Sequence, residues 1–452
     1  VKIVIIGGGP AGYVAAIRAS QMGGEVTLIE KENVGGTCVN RGCIPTKAIL
    51  KSVHPLLERE KIEQLGVNFS DLNYDINKIR SHSNKAVIMS RQGIEYLLKK
   101  NNVTVVKGEA VEAQGKSIIL KTTENKEEKV NFDKLIIALG SVVSKIPKIE
   151  FDTNKVITSD YALLLKEIPK RLLIIGGGAV GLEFGIIYKA LGSSVTIVEM
   201  MEQILPGEDS ESVEILNKSL IKSGINVITS CKVENLEVDS SKNEIKLSLN
   251  KEGSLTEEIF DVVLVAAGRK PNINDNILKP LNVEYSVKGI VVNDYMQTSN
   301  PDVFAIGDIN GKSMLAHTAY KEAIIASCKI FDKETKPINY DLMPRCVYSL
   351  PEFASVGKTK GEKSFVFPYS ANGRARAHAI KEGMIKIFTE DNYITGCTIV
   401  GENATELIAS VEIAIKEKID IKKLTDITFP HPTFSEVFGE VCEVAIGLPL
   451  HI

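Results

Sequence analysis

The sequence predicts an α/β protein: two doubly wound units followed by a third, α+β segment. Three observations predict it. A strand–glycine turn–helix–strand pattern opens the chain, a second copy follows, and the last quarter lacks the pattern. Residues 3–6 form a short β-rich apolar run. Gly7, Gly9 and Gly12 come next, then an Ala-rich helical stretch to Met22 and a strand over 26–30 that ends in Glu30. Residues 172–175 lead in the same way into Gly176, Gly178 and Gly181, a helical segment, and a strand over 195–199 that ends in Glu199. Each member of the second set lies 169 residues beyond its counterpart, 7 to 176 and 30 to 199.

The chemistry of this spacing is specific. Glycine lets the turn tighten and the backbone approach a pyrophosphate at a helix N-terminus, where free N–H groups and the helix dipole favour anions. The acid that closes the second strand can accept hydrogen bonds from both hydroxyls of an adenosine ribose. One such pattern is a weak signal, but two complete copies predict two Rossmann-like dinucleotide-binding domains. After Glu199 come Met200, Met201 and Glu202, with no Arg or Lys to meet a 2′-phosphate. The second module is therefore expected to prefer NAD(H) over NADP(H).

Between the modules, residues 74–100 read as a long helix, and 103–106 and 118–120 as strands. Residues 134–140 read as a buried strand entering a glycine turn at Gly140, with a counterpart over 262–269 that turns at Gly268. A strand over 303–305 and a turn at Gly307 and Asp308 precede a helix beginning near Ala316. From about Pro337 the chain reads as strands, a helix over 404–416 and an irregular tail. The expected domains are 1–145, the first part of one dinucleotide-binding domain; 146–268, the second such domain; 269–336, the remainder of the first; and 337–452, a domain of a different kind.

At 452 residues the chain has room for about three domains. Lys and Arg total 54 against 57 for Asp and Glu, a net charge of −3, so nothing favours nucleic acid or an anionic membrane surface. Seven cysteines are too few, and odd in number, for a secreted disulfide scaffold. No apolar run reaches the roughly 18 residues of a membrane span. The start shows no signal sequence, so a cytoplasmic protein is expected.

Cys38 and Cys43 lie in Gly35-Gly36-Thr37-Cys38-Val39-Asn40-Arg41-Gly42-Cys43-Ile44-Pro45-Thr46-Lys47. On a regular helix, residues five apart point roughly 140° away from each other, with Cα atoms too distant for a disulfide. They can bridge only where the segment distorts, which Gly42 and Pro45 make feasible. A bridge held in unfavourable geometry is more easily reduced, as a redox-active disulfide requires. Two buried free thiols, a zinc half-site and a structural disulfide compete with this. The zinc site lacks a second Cys/His pair, and no metal is expected. The position just after the first glycine fingerprint favours the redox interpretation.

The doubled fingerprints, residues 35–47, Ala305-Ile306-Gly307-Asp308 and the tail His431-Pro432-Thr433-Phe434-Ser435-Glu436 together resemble the class I flavoprotein disulfide reductases, above all the branch that oxidises dihydrolipoamide. The resemblance covers essentially the whole chain. It implies FAD in the first module, NAD in the second and a C-terminal α+β dimerisation domain. Cys38 would be the interchange thiol that meets substrate and Cys43 the charge-transfer thiolate against the flavin. His431 would be the base, oriented by Glu436 and reaching the cysteines of the other subunit of a homodimer. Lys47 would sit near the reactive edge of the flavin, paired with Glu183. Gly36, Thr37, Ala110, Gly140, Asp308 and Ala316 would contact FAD, while Glu183, Val233 and Gly268 would contact NAD. His317 follows the same flavin-contacting motif; the other histidines default to surface or structural roles.

The resemblance implies oxidation of protein-bound dihydrolipoamide with NAD⁺. The substrate arm would come from the lipoyl domain of a 2-oxoacid dehydrogenase, glycine cleavage or acetoin dehydrogenase system, because the chain shows no lipoyl domain of its own. Two rivals stay open: NADH-dependent reduction of another low-molecular-weight disulfide, and a mainly structural role in a multienzyme complex. Three departures from the family pattern bear on flavin contacts, pocket shape and the interface edge. Leu139 stands where Thr is usual, Phe429-Pro430 precedes His431 in place of His-Ala, and the connection over 357–367 is short.

Overall fold

The computed structural model describes residues 1–68, 73–147, 149–152, 154–239 and 241–452. The chain forms two compact units. One comprises Val1–Ala48, Asn77–Ser144 and Gly268–Tyr340; the other comprises Ile49–Ile76, Lys145–Ala267 and Asp341–Ile452.

In the first unit, the apolar opening strand Lys2–Ile6 lies inside a seven-stranded sheet. Glu25–Glu30 pairs with it in parallel on one side and Lys134–Ile137 on the other. The chain order reverses at Lys2–Ile6, which makes its C-terminal end a switch point of the kind where open α/β sheets bind ligands. Gly7 sits there. Its φ is 100°, and a Cβ on it would lie 2.3 Å from the Ala138 carbonyl oxygen. The helix Pro10–Gln21 then packs its alanine face, Ala11, Ala15, Ala16 and Ala19, into the core. Small side chains allow that helix to lie close to the sheet, and a Cβ on Gly12 would meet the Gly7 oxygen at 1.8 Å. Val303–Ala305 extends the sheet in parallel beyond Lys134–Ile137.

The second unit repeats this construction. Arg171–Ile175 lies within an all-parallel, five-stranded sheet, between Ser194–Val198 and Val262–Val265. Gly176 has φ 115°, and its Cβ would fall 2.5 Å from the Ala266 oxygen; that of Gly181 would fall 2.0 Å from the Gly176 oxygen. The same unit holds a three-stranded antiparallel sheet over Cys231–Asp239, Glu244–Lys251 and Ser254–Phe260. It also holds a five-stranded antiparallel sheet made of Arg345–Val347, Phe353–Gly357, Tyr393–Val400, Met384–Glu390 and Lys363–Pro368. The helices Ala404–Lys416 and Glu436–Ala445 contribute to the core over that last sheet.

The structure corrects the sequence expectation in three places. The tail is not irregular: it forms the helices Ile421–Thr425 and Glu436–Ala445. The latter buries Val437, Phe438, Val441 and Cys442, a helical stripe that Gly439 and the β-branched valines obscure in the sequence. Glu127–Asn131 is a strand with a charged, mostly exposed pattern that carries no apolar alternation. The long helix begins at Ile76 rather than Tyr74. Between Gly357 and Lys363 no helix forms, as the short connection implies.

Replacing Gly181 by Ala is expected to destabilise the protein by about 1–3 kcal/mol, because the new methyl has only a backbone oxygen to displace. Gly178→Ala, with open space at its Cβ and an extended φ of −81°, ψ of −179°, leaves stability within about 1 kcal/mol. Calorimetric unfolding of both variants checks the contrast.

Candidate active site

The two cysteines meet because the helix breaks between them. Gly36–Arg41 ends at Gly42, whose φ of −145° and ψ of −111° are far from helical, and Cys43–Leu57 starts afresh at the second cysteine. A Cβ at position 42 would lie 2.9 Å from the Thr37 carbonyl oxygen, so the break requires glycine. The Cys38 thiol hydrogen-bonds Cys43. That bond, then burial, then the charge of Cys43 push the Cys38 thiol far above the usual thiol range; the Cys43 backbone N–H and the Lys47 charge oppose them. Cys43, as the first residue of a 15-residue helix, has the position at which the helix dipole favours a thiolate.

The cysteine segment is tied to the first fingerprint. The Gly35 N–H donates to the Gly8 oxygen at 2.8 Å. Gly36 backs onto Gly9 so closely that a Cβ on it would meet the Gly9 Cα at 2.6 Å. Tyr13, one turn into the helix after the fingerprint, donates to the Tyr320 hydroxyl at 3.2 Å, with the rings edge to face. Both lie within the electrostatic reach of Cys38, and Tyr320 within that of Cys43. Burial is the largest cause raising both phenols, and the charges of Cys38 and Cys43 raise Tyr320 further.

The fingerprint turns suit dinucleotides on their own geometry. Neither Pro10–Gln21 nor Ala179–Ala190 has a side-chain cap at its N-terminus. Gly7 and Gly12, like Gly176 and Gly181, are demanded by the fold; Gly9 and Gly178 are not. A Cβ on Gly9 would find its nearest neighbour at 3.8 Å, and one on Gly178 would find none within 4 Å. The open ground lies where a pyrophosphate must approach. Glu30 takes the Gly8 N–H on one oxygen at 2.6 Å and the Glu32 N–H on the other at 2.7 Å. Glu199 does the same with Gly177 at 2.8 Å and Met201 at 2.9 Å. Each carboxylate oxygen retains a lone pair for a ribose hydroxyl. A cavity of about 630 Å³ adjoins Glu30, lined also by Val34, Leu98, Val103, Val105 and Lys107.

The remaining expected residues fall as follows. Ala110 is buried on the strand Thr104–Ala113, and Thr37 lies in the helix that carries Cys38. Gly140 has φ 66° and Gly268 φ 98°, both with open space where a Cβ would stand. Asp308 lies in the turn Gly307–Asn310 and accepts the Ser141 hydroxyl at 2.5 Å. Ser141 in turn receives Arg269 Nε at 2.7 Å. Ala316 opens the helix Ala316–Ile330, with His317 next to it. Val233 precedes a bulge in the strand Cys231–Asp239. Glu183 is buried in the helix Ala179–Ala190 and accepts the Tyr348 N–H at 3.2 Å. Lys47 belongs to the first unit and Glu183 to the second.

His431 Nδ1 is 2.8 Å from Glu436 Oε1, and Glu436 Oε2 accepts the Thr433 N–H at 2.7 Å. Two hydrogen bonds thus fix the carboxylate. With Nδ1 so engaged and the side chain 75% exposed, Nε2 is left as the nitrogen that can exchange a proton. Among the described residues no cluster of three His, Cys, Asp or Glu could hold a metal, and no helix is long and apolar enough to cross a membrane.

Sequence reasoning missed Ser141, Arg269, Tyr13 and Tyr320. The first two directly follow Gly140 and Gly268, which is the one signal that could have marked them.

The pyridine nucleotide-disulphide oxidoreductase family model matches residues 1–323, and the dimerisation domain of the same family matches 343–442. The chain belongs to the pyridine nucleotide-disulphide oxidoreductases. Among relatives in this family, the dihydrolipoyl dehydrogenase of Bacillus subtilis (strain 168) is 36% identical, with 99% of each chain covered. The mitochondrial dihydrolipoyl dehydrogenase of Pisum sativum is 38% identical over 100% of this chain and 92% of its own. LpdA from Mycobacterium tuberculosis shares the fold, with a TM-score of 0.91 at 22% identity, covering 98% of this chain and 99% of that one. Membership of this oxidoreductase family brings FAD and NAD(H) as cofactors, and the dimerisation domain supports a homodimer.

Gly42→Ala is expected to keep Cys38 and Cys43 from pairing. Thiol titration of the air-oxidised, denatured variant then yields two more reactive thiols than the parent.

Proposed function

We propose that the chain, acting in the cytoplasm, oxidises dihydrolipoamide carried on a lipoyl domain to lipoamide, with NAD⁺ as the final acceptor. The observation that carries this is the Gly42 break, which sets two thiols side by side against a dinucleotide fingerprint. In this proposal residues 1–145 and 269–336 hold FAD, 146–268 hold NAD, and 337–452 form the dimer.

A substrate thiol lies about 1.5 pH units below its pKa at neutrality, so ionising it costs about 2 kcal/mol. His431, held by Glu436, takes that proton on Nε2 and stores it as an imidazolium beside the carboxylate. In the homodimer this histidine serves the cysteines of the partner subunit. The substrate thiolate attacks Cys38 in the Cys38–Cys43 bridge, forming a mixed disulfide and releasing Cys43 as thiolate. The second substrate thiol then attacks the substrate sulfur of the mixed disulfide. Lipoamide leaves as a cyclic disulfide, and both cysteines are left reduced. Bound FAD supplies the passage of that electron pair from the cysteines to NAD⁺.

The residues of this chain do the rest. Gly7, Gly9 and Gly12 with Glu30 hold one dinucleotide; Gly176, Gly178 and Gly181 with Glu199 hold the other. Gly36, Thr37, Ala110, Gly140, Asp308 and Ala316 complete the flavin side. Val233 and Gly268 complete the nicotinamide side. Lys47 keeps a positive charge near the thiols, consistent with its lowering influence on Cys38.

Anaerobic addition of dihydrolipoamide to the yellow protein is expected to change its visible spectrum. Cys43→Ser is expected to abolish both that change and lipoamide turnover; full turnover by this variant refutes the proposal. Glu199→Ala is expected to raise the KM for NADH and to cut the preference for NADH over NADPH at least about tenfold, since one repelling carboxylate is worth roughly 1.4 kcal/mol or more. Steady-state rates with both nucleotides check it.

A further inference from the structure

The helix Ala316–Ile330 buries a face of small residues, Ala319, Ala323 and Ala326, and among them stands one acid, Glu322, with no exposed surface. Burying a carboxyl is costly, and an apolar side chain would pack this helix as well. What the carboxyl supplies here is two oxygens aimed at donors. Oε2 accepts the Gly307 backbone N–H at 2.5 Å and the Asn310 amide at 2.9 Å. Oε1 accepts the Tyr340 hydroxyl at 2.7 Å. Burial pushes the carboxyl above its usual range, while the Tyr340, Asn310 and Gly307 hydrogen bonds and the Lys312 charge pull it back.

The donors converge on one turn. Gly307 and Asn310 are the two ends of Gly307–Asn310, the turn that contains Asp308. Gly307 has φ 73°, and a Cβ on it would meet the Ala11 Cβ at 3.0 Å, so the helix Pro10–Gln21 limits the turn. Beyond Asn310, Gly311 lies against Lys288, whose oxygen would be 1.7 Å from an added Cβ. Asp308 itself is held by Ser141 and, through it, Arg269.

We propose that Glu322 is a positioning residue for FAD: by gripping both ends of the turn it fixes Asp308 where the flavin needs it and so sets how slowly FAD leaves. This rests on the assignment of Asp308 to FAD made above. Glu322 touches no reacting atom. Its action passes through the Gly307 N–H and the Asn310 amide.

The test follows FAD loss from full-length holoenzyme by the rise of free-flavin fluorescence, with circular dichroism as the check on folding. Glu322→Ala is expected to release FAD about tenfold faster or more, as befits the loss of buried hydrogen bonds that leaves the Gly307 N–H and the Asn310 amide unpaired. Glu322→Gln is expected to stay within about threefold of the parent, because its amide oxygen keeps Gly307 and Asn310 while the Tyr340 hydroxyl turns to accept. A folded Glu322→Ala protein with the parental rate overturns the inference, as does Glu322→Gln releasing FAD as fast as Glu322→Ala. Should Glu322→Ala fail to fold, Asn310→Ala replaces it: faster release supports the inference and an unchanged rate overturns it. Asp308→Asn separates the two claims. If it leaves FAD release unchanged, the assignment of Asp308 fails; if it speeds release while the Glu322 and Asn310 variants do not, only the role of Glu322 fails.

Discussion

One backbone break governs this protein. At Gly42 the chain leaves helical geometry for a single residue, and that residue cannot carry a side chain without striking the Thr37 carbonyl. Without the break, Cys38 and Cys43 would project from different sides of one continuous helix. With it, the two thiols come within hydrogen-bonding distance, and one of them gains the N-terminal position of a long helix. The contact of Gly35 and Gly36 with Gly8 and Gly9 then ties this redox pair to a nucleotide-binding turn. Chemistry and cofactor platform are thus joined by backbone atoms alone, which leaves few side chains able to disturb the link.

The duplicated fingerprint separates two demands on glycine. In both copies the first and third glycines answer to the chain itself, each preventing collision with a carbonyl oxygen. The middle glycine answers to nothing in the chain. Its open surroundings in both units, with uncapped helix N-termini behind them, are the physical case for a ligand at each turn.

Much of this could be read from the residues, and the exceptions have physical causes. The strands, the fingerprint turns, the long helix and the cysteine motif are local patterns, and local patterns survive in a sequence. Gly42 is legible in the sequence as a source of distortion. The strand Glu127–Asn131 is not legible, because it lies exposed at a sheet edge and carries charge instead of alternation. The helix that begins at Glu436 was hidden by valines and a glycine, since only packing against the neighbouring sheet overrides their weak helical preference. In the site, His431 and Glu436 are five residues apart and could be paired from the sequence. The chain Arg269–Ser141–Asp308 spans more than a hundred residues, and no spacing rule reaches it.

Glu30 and Glu199 each hold their own loop, through the Gly8 and Gly177 N–H groups, besides the ribose contact proposed for them. An acid with both duties cannot be exchanged for a different recognition element at no structural expense. A lineage that moved toward a phosphorylated ribose would have to rebuild the loop in the same step, so coenzyme choice in this architecture is buffered against gradual drift.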